Sequence, residues 1–274
     1  TLHSSHDGQQ SSSISATDGA LFFGLAFAPD GNSLWVTDSV GSLLKVDVES
    51  MTITRRLPMY QRMLMSPIVS NDGQFMGIST SEAIASISAV WDLKSEREVF
   101  RALATLSKID PGPVRVSGFS DDATVLVTQS SEITRMNMQT GQEVSPRFRH
   151  QRHWISTVSK VPDSADETYA VCLLDGTVNL WHPDADTEDI LHGHRKPVSR
   201  VAISPDGKTM ATGDRAGEIR LWQLSTRQQL CELTGLTGDV TGLWFSPDGR
   251  RLLAAAKTKD GGSEVMVWDA GQSE

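Results

Sequence analysis

Short apolar runs closed by turn residues recur along the chain, the pattern that predicts β-strands. Between 198 and 233 four such runs stand in series: Val198 to Ile203, Thr209 to Gly213, Glu218 to Gln223 and Gln229 to Leu233. The breaks between them are Ser204-Pro205-Asp206-Gly207, Asp214-Arg215-Ala216-Gly217 and Ser225-Thr226-Arg227. Ser-Pro-Asp-Gly suits a type I turn, because proline sets φ at the second position, aspartate is tolerated at the third and glycine relieves the exit. The segment is therefore predicted to be a meander of four antiparallel strands.

The unit repeats. Phe27-Ala28-Pro29-Asp30-Gly31, Val69-Ser70-Asn71-Asp72-Gly73, Phe119-Ser120-Asp121-Asp122, Val161-Pro162-Asp163-Ser164, Ile203 with its Ser-Pro-Asp-Gly, and Phe245-Ser246-Pro247-Asp248-Gly249 share one register. Their apolar residues fall at 27, 69, 119, 161, 203 and 245, in steps of 42, 50, 42, 42 and 42. A four-stranded sheet of this size cannot bury both faces alone. Copies must stack, and radial stacking predicts an all-β propeller of four-stranded antiparallel blades. A row of sandwich domains would need about twice the period and linkers between units. The repeats are placed at 19–63, 64–111, 112–154, 155–197, 198–240 and 241–274, after an N-terminal segment 1–18.

With these features the chain resembles the WD-repeat propellers. The fifth repeat carries Gly193-His194 before its first strand, Ser-Pro-Asp-Gly after it and Leu221-Trp222 closing the third. The third-strand position reads Val46-Asp47, Trp91-Asp92, Met136-Asn137, Trp181-His182, Trp222-Gln223 and Trp268-Asp269. The resemblance covers residues 19–274 and is to the bacterial type with degenerate repeats. Six blades follow from the repeats present, whereas the resemblance in general favours seven, with another blade upstream. The sixth repeat stops after its third strand, so Thr1-Leu2-His3 is expected to latch the ring as its missing strand, with Ser11-Ser12-Ser13 through Thr17 as a loop. The resemblance also implies a buried network of His, Ser or Thr, Asp and Trp in each blade. Carried over, the fifth repeat supplies His194, Thr212 and Trp222, with Ala216 at the Asp position. The fourth supplies Asp175 and Trp181, with Gln151 at the His position and His150 beside it. The sixth has Gly235-Leu236 in place of Gly-His. Most blades are thus expected to hold by apolar packing. Phe22, Phe23, Leu25, Phe27, Leu243, Trp244 and Phe245 are read as core, and Met63, Leu64 and Met65, with Tyr60 nearby, as candidates for an adaptable apolar contact.

Composition narrows the chemistry. Of 274 residues, 38% are hydrophobic and 22% charged, enough apolar surface for a core and too mixed for a disordered chain. The longest nearly apolar run, Ala20 to Ala28, is well short of the ~20 residues of a membrane span. A net charge of −9, from 25 basic and 34 acidic residues, argues against sequence-independent nucleic-acid binding. Cys172 and Cys231 each sit in a predicted strand, which predicts neither a metal cluster nor a disulfide framework and fits a reducing, cytoplasmic setting. A chain opening at Thr1 reads as an excised part of a longer protein. Gly118-Phe119-Ser120 runs into Asp121-Asp122 and forms no nucleophile elbow. Gly207-Lys208-Thr209 has Ala202 where a phosphate loop needs glycine, and Asp184 to Asp189 lacks the glycine and distal glutamate of a calcium loop. His150, His153, His192 and His194 offer four imidazoles to a zinc ion, but no carboxylate stands beside them in sequence, and no metal is expected. No cofactor is expected.

One segment reverses the sign of the chain. Arg147, Arg149, His150, Arg152, His153 and Trp154 crowd together, with Arg195, Lys196 and Arg215 one repeat on. Guanidinium forks suit carboxylate and phosphate, and Arg and Trp concentrate binding energy at interfaces. The segment predicts either a docking patch for an acidic or phosphorylated partner or an ordinary solvated strand and loop. The functional expectation is a non-catalytic protein-interaction or scaffold module. Its Ser-Pro-Asp-Gly-Lys and Ser-Pro-Asp-Gly-Arg turns resemble bacterial WD-repeat sequences, which implies a regulatory part of a multidomain protein, sometimes one with a Ser/Thr kinase region. The alternative is a propeller hydrolase or lyase with polar residues at its central channel, although the first strands here are mostly apolar.

Overall fold

The computed structural model describes residues 2–3, 10–12, 20–60, 64, 67–70, 72–80, 87–103, 114–120, 123–162, 164 and 167–269. They form an all-β propeller of six antiparallel meander sheets, numbered here in chain order. The first is Phe22–Phe27, Ser33–Asp38, Ser42–Asp47 and Thr52–Pro58; the second Ile68–Val69, Phe75–Ser79, Ile87–Asp92 and Arg97–Leu103; the third Val114–Phe119, Thr124–Gln129, Glu132–Asn137 and Glu143–Arg149. The fourth is Ile155–Lys160, Tyr169–Leu173, Val178–His182 and Thr187–Leu191; the fifth Val198–Ile203, Thr209–Asp214, Ile219–Gln223 and Gln228–Leu233; the sixth Asp239–Phe245, Arg251–Lys257 and Ser263–Asp269. Apart from a single 3₁₀ turn at Pro183–Ala185, the described residues contain no helix.

The chain divides into two compact units, residues 1–129 with 135–143, and residues 130–134 with 144–274. In each, the core lies between consecutive sheets, because a small sheet buries its second face only against a neighbour. In the first unit Trp35 and Leu43 of the first sheet pack with Met76 and Ile78 of the second, and Val90 and Phe100 of the second with Val114, Val116 and Val125 of the third. In the second unit Ala170, Cys172 and Leu180 meet Val198, Met210 and Trp222, and Ala202, Ala211 and Ile219 meet Val240, Leu243, Leu252 and Ala254.

The repeated turn has a common internal wiring. The amides of Gly31, Gly73, Gly207 and Gly249 donate to the carbonyls three residues back at 2.8–2.9 Å. These glycines have φ between 66° and 71°, and Ala123 takes the same left-handed conformation, φ 61°, in the third repeat. In the second, fifth and sixth turns the serine hydroxyl donates to the aspartate two residues on at 2.5–2.6 Å and accepts the amide that reopens the strand at 2.9 Å. Asn71, Asp121, Asp122 and Asp163 of this series lie outside the described residues.

Three expectations change. Phe23, Leu25, Phe27 and Trp244 are exposed rather than core, while Leu243 is buried and Phe22 and Phe245 are half-buried. These strands have the composition of buried ones. Leu64 is fully buried with Trp35 and Met76, so it is core, and the Tyr60 hydroxyl donates to Glu98 Oε2 at 2.6 Å; Met63 and Met65 lie outside the described residues. Finally, Leu2–His3 pairs with Gln10–Ser12 in a ladder of its own, Leu2 opposite Ser12, and the sixth sheet has three strands among the described residues. Thr1 and the stretch from Ser13 to Thr17 lie outside them.

Candidate interaction surface

In the fifth sheet the structure brings His194, Thr212 and Trp222 together. The Trp222 Nε1–H donates to Thr212 Oγ1 at 2.8 Å, and that hydroxyl lies 2.7 Å from His194 Nε2. His194 Nδ1 faces Asp214 Oδ2 at 3.3 Å. The Thr212 hydroxyl accepts from the indole and also reaches Arg220 O at 3.5 Å, so it ties the tryptophan to the imidazole edge whose other nitrogen faces the carboxylate.

The acid is Asp214, eight residues before the tryptophan, and not the position six before it, which Ala216 occupies. Asp214 closes the strand, so its other oxygen reaches into the turn and accepts the Ala216 and Glu218 amides at 2.8 and 3.1 Å. Asp38 repeats that turn in the first sheet, accepting Val40 and Ser42 amides at 3.1 and 2.7 Å. The signal available in sequence was an Asp at the end of the second strand, two residues past Thr212.

The fourth sheet is wired differently. Trp181 is buried and stacks on Phe148 and Tyr169, with ring centroids 5.8 and 5.6 Å away. Asp175 does not reach it. One Asp175 oxygen accepts the Thr177 amide and hydroxyl at 2.9 and 2.7 Å, and the other lies 3.5 Å from His153 Nε2. His150 Nδ1 accepts the His153 amide at 3.0 Å. His150 Nδ1 and both His194 nitrogens are engaged in hydrogen bonds, and the ligand atoms of His194, Asp214 and Glu218 lie within 4.8 Å of one another.

The pattern of tight approaches lines up the entry loops of the second unit. A Cβ on Gly176 would meet the carbonyl oxygens of His194 and Lys196 at 2.6 and 3.0 Å, and one on Gly217 those of Leu236 and Gly238 at 2.5 and 3.2 Å. The Leu174 amide donates to Trp154 O at 3.0 Å, and the Arg215 amide to Pro197 O at 3.1 Å. Loops 150–154, 174–177, 193–197, 214–217 and 235–238 therefore form a continuous surface. Trp154 is 51% exposed on it. Arg152, Arg195, Lys196 and Arg215 are exposed beside it, and none of the four has an ion-pair partner among the described residues. On the adjoining strand Arg147 pairs with Glu132, whereas Arg149 lies 3.7 Å from that carboxylate with its side chain 72% exposed.

Burial alone would push the Asp214 carboxyl up, but the bonds from His194 and the Ala216 and Glu218 amides outweigh it and hold it below the ordinary range. Its stabilising effect is present above the unfolded value of about 3.9 and is lost as pH falls through the depressed folded value. Acid titration followed by Trp222 fluorescence should show the fifth sheet loosening below about pH 4, and Asp214→Asn should flatten that limb. An unchanged acid limb in the variant would remove Asp214 from the account.

The WD40 family, described as WD domain, G-beta repeat, matches residues 186–223 and 227–269. Similar proteins include the small ribosomal subunit protein RACK1 of Caenorhabditis elegans, 32% identical over 117 residues, 42% of this chain and 34% of that one. The small ribosomal subunit protein RACK1y of Oryza sativa subsp. japonica is 32% identical over 117 residues, covering 42% of this chain and 33% of its own. The alignment thus spans about a third of the length of these curated relatives. Among the described residues no helix is long and apolar enough to cross a membrane.

Proposed function

We propose that this chain, which carries WD40 repeats on a propeller of six sheets, is a non-catalytic module that docks an acidic or phosphorylated protein segment on the loop surface of its second unit. The observation that carries the reading is the row Arg149, Arg152, Arg195, Lys196 and Arg215 around the exposed Trp154, in a protein of net charge −9. Exposed guanidinium groups favour carboxylate and phosphate oxygens, and an exposed indole offers apolar area with little entropy to lose. A local basic cluster in a chain of net charge −9 favours a short acidic segment over a nucleic-acid backbone.

A catalytic reading finds no support in the relay. His194 and Asp214 have side-chain exposures of 0 and 1%, so the Asp–His–Thr order, which resembles that of a hydrolase, is sealed from substrate. Its work is to tie the entry loop to the third-strand tryptophan. The resemblance to bacterial WD-repeat sequences further supports a cytoplasmic, regulatory place in a larger polypeptide, with a kinase region among the candidates.

Fluorescence anisotropy with a labelled acidic peptide and its phosphoserine counterpart tests the docking surface. Both should bind at moderate salt, the phosphorylated one more tightly. Arg149→Glu with Arg152→Glu should weaken binding at least about tenfold, the equivalent of 1.4 kcal/mol, and Trp154→Ala should weaken it without changing the salt dependence. Equal affinity in the double variant would dispose of the surface.

A further inference from the structure

The turns that close the first hairpin of each sheet pack against the turns of the sheet before. A Cβ on Gly73 of the second sheet would lie 3.1 Å from Pro29 Cδ of the first, and one on Gly249 of the sixth 3.6 Å from Pro205 Cδ of the fifth. Gly207 is tighter still, 2.6 Å from Pro162 O. In sequence the second repeat has Asn71 at the proline position, and the third has Ala123 at the glycine position. Ala123 keeps the left-handed backbone, φ 61°, and carries a methyl group where Gly73, Gly207 and Gly249 carry none. Both halves of the turn contact are thus altered between the second and third sheets.

A cleft of about 380 Å³ opens at that place, within the first unit. Phe75 of the second sheet and Phe119, Ala123 and Met138 of the third give it an apolar lining. Phe119 reaches across to the second sheet, where a Cβ on Gly77 would lie 3.5 Å from its Cζ. Asp72 and Gln74 supply polar groups at the same cleft, and both are exposed. Asp72 Oδ1 accepts the Ser70 hydroxyl at 2.5 Å and the Gln74 amide at 2.9 Å. These bonds hold the carboxyl below its ordinary range, so it is charged at neutral pH.

The matching aspartates are answered within their own turns. Asp206 Oδ2 faces Lys208 Nζ at 3.7 Å, and the charges of Arg250 and Arg251 act on Asp248. Where the fifth repeat has Lys208 the second has Gln74, and the neighbouring turns at 120–124 and 137–140 contain no Lys or Arg. Asp72 forms no ion pair among the described residues.

We propose that this cleft receives a lysine side chain from an extended segment of a partner protein, its ammonium at Asp72 Oδ2 and its methylene stem on Phe75, Phe119 and Met138. Long cationic side chains bury their stems on apolar surface while the charged head keeps a polar partner, and the thioether adapts to the stem. With Oδ1 already engaged, one carboxylate oxygen remains, which suits a compact ammonium better than a guanidinium fork. A chain of net charge −9 draws a basic segment toward it. The cleft therefore selects the charge opposite to that selected by the loop surface of the second unit.

Methionine-methyl NMR of the full chain reads the site, with the Met138 signal assigned through Met138→Leu. A terminally blocked Ala-Ser-Lys-Ser-Ala peptide should shift that signal saturably. Its norleucine counterpart should bind about fivefold more weakly, the upper end for an exposed ion pair. Asp72→Asn keeps an acceptor for the Ser70 hydroxyl, and Gln74→Lys supplies the internal cation of the fifth turn. Each should bring the lysine peptide down to the norleucine level. Arg149→Glu with Arg152→Glu should leave lysine-peptide binding unchanged, which tells failure here from failure of acidic-peptide docking. Free cadaverine should bind more weakly than the peptide. No shift at Met138, a shift indifferent to both Asp72→Asn and Gln74→Lys, or tighter binding of cadaverine would overturn the proposal.

Discussion

Replacing Trp222 with alanine is expected to destabilise the second unit by about 3–5 kcal/mol, the range for removing a buried tryptophan. The side chain is 3% exposed and packs on Ala170, Cys172, Val178 and Leu180 of the preceding sheet, so its loss opens a cavity between two sheets and leaves the Thr212 hydroxyl without its donor. Trp222→Phe separates the two effects. It keeps most of the packing and removes one hydrogen bond, which should cost about 1–2 kcal/mol. Hydrogen exchange of the Val198–Ile203 and Thr209–Asp214 amides, together with urea titration, reads both. A Phe variant as damaged as the Ala variant would show that the relay, and not the indole volume, holds this contact.

Gly217→Ala should cost about 2–4 kcal/mol, from a left-handed backbone together with a forced shift of a neighbouring loop. Its φ is 91°, and an added Cβ would lie 2.5 Å from Leu236 O and 2.8 Å from the carbon that bears it. These are backbone atoms, which cannot rotate away. Gly141→Ala is the control: φ is 67° there and nothing lies within 4 Å of the added methyl, so the cost falls to about 1 kcal/mol. The same substitution at Gly217 moves the 236–238 loop and should weaken peptide binding on the adjoining surface. Equal costs at the two sites would mean that the close approach of turn and loop contributes nothing.

The alternation of apolar and polar residues, punctuated every 42 positions or so by one kind of turn, was sufficient to determine the sheets. Strand formation and turn closure are local: Val198–Ile203 and its turn at Ser204 need only their own residues, which is why the predicted fifth-repeat strands and the observed ones differ by a residue at most. The grouping of His194 with Thr212 and Trp222 came from the resemblance to the WD-repeat propellers, not from the spacing of the residues. The basic segment around Trp154, with Arg195, Lys196 and Arg215 one repeat on, was legible as a charge reversal.

What the sequence left undecided depends on distances across sheets. Asp214 rather than position 216 supplies the carboxylate because a strand end, not a count of residues, aims the side chain at His194. Asp175 turns to His153 and leaves Trp181 to Phe148 and Tyr169, since three aromatic rings already fill that space. Phe23, Leu25, Phe27 and Trp244 have the composition of core residues, and composition records only that a side chain prefers to be covered. Which side chains are covered is settled by whether another sheet lies against them, and that is a property of the assembled array.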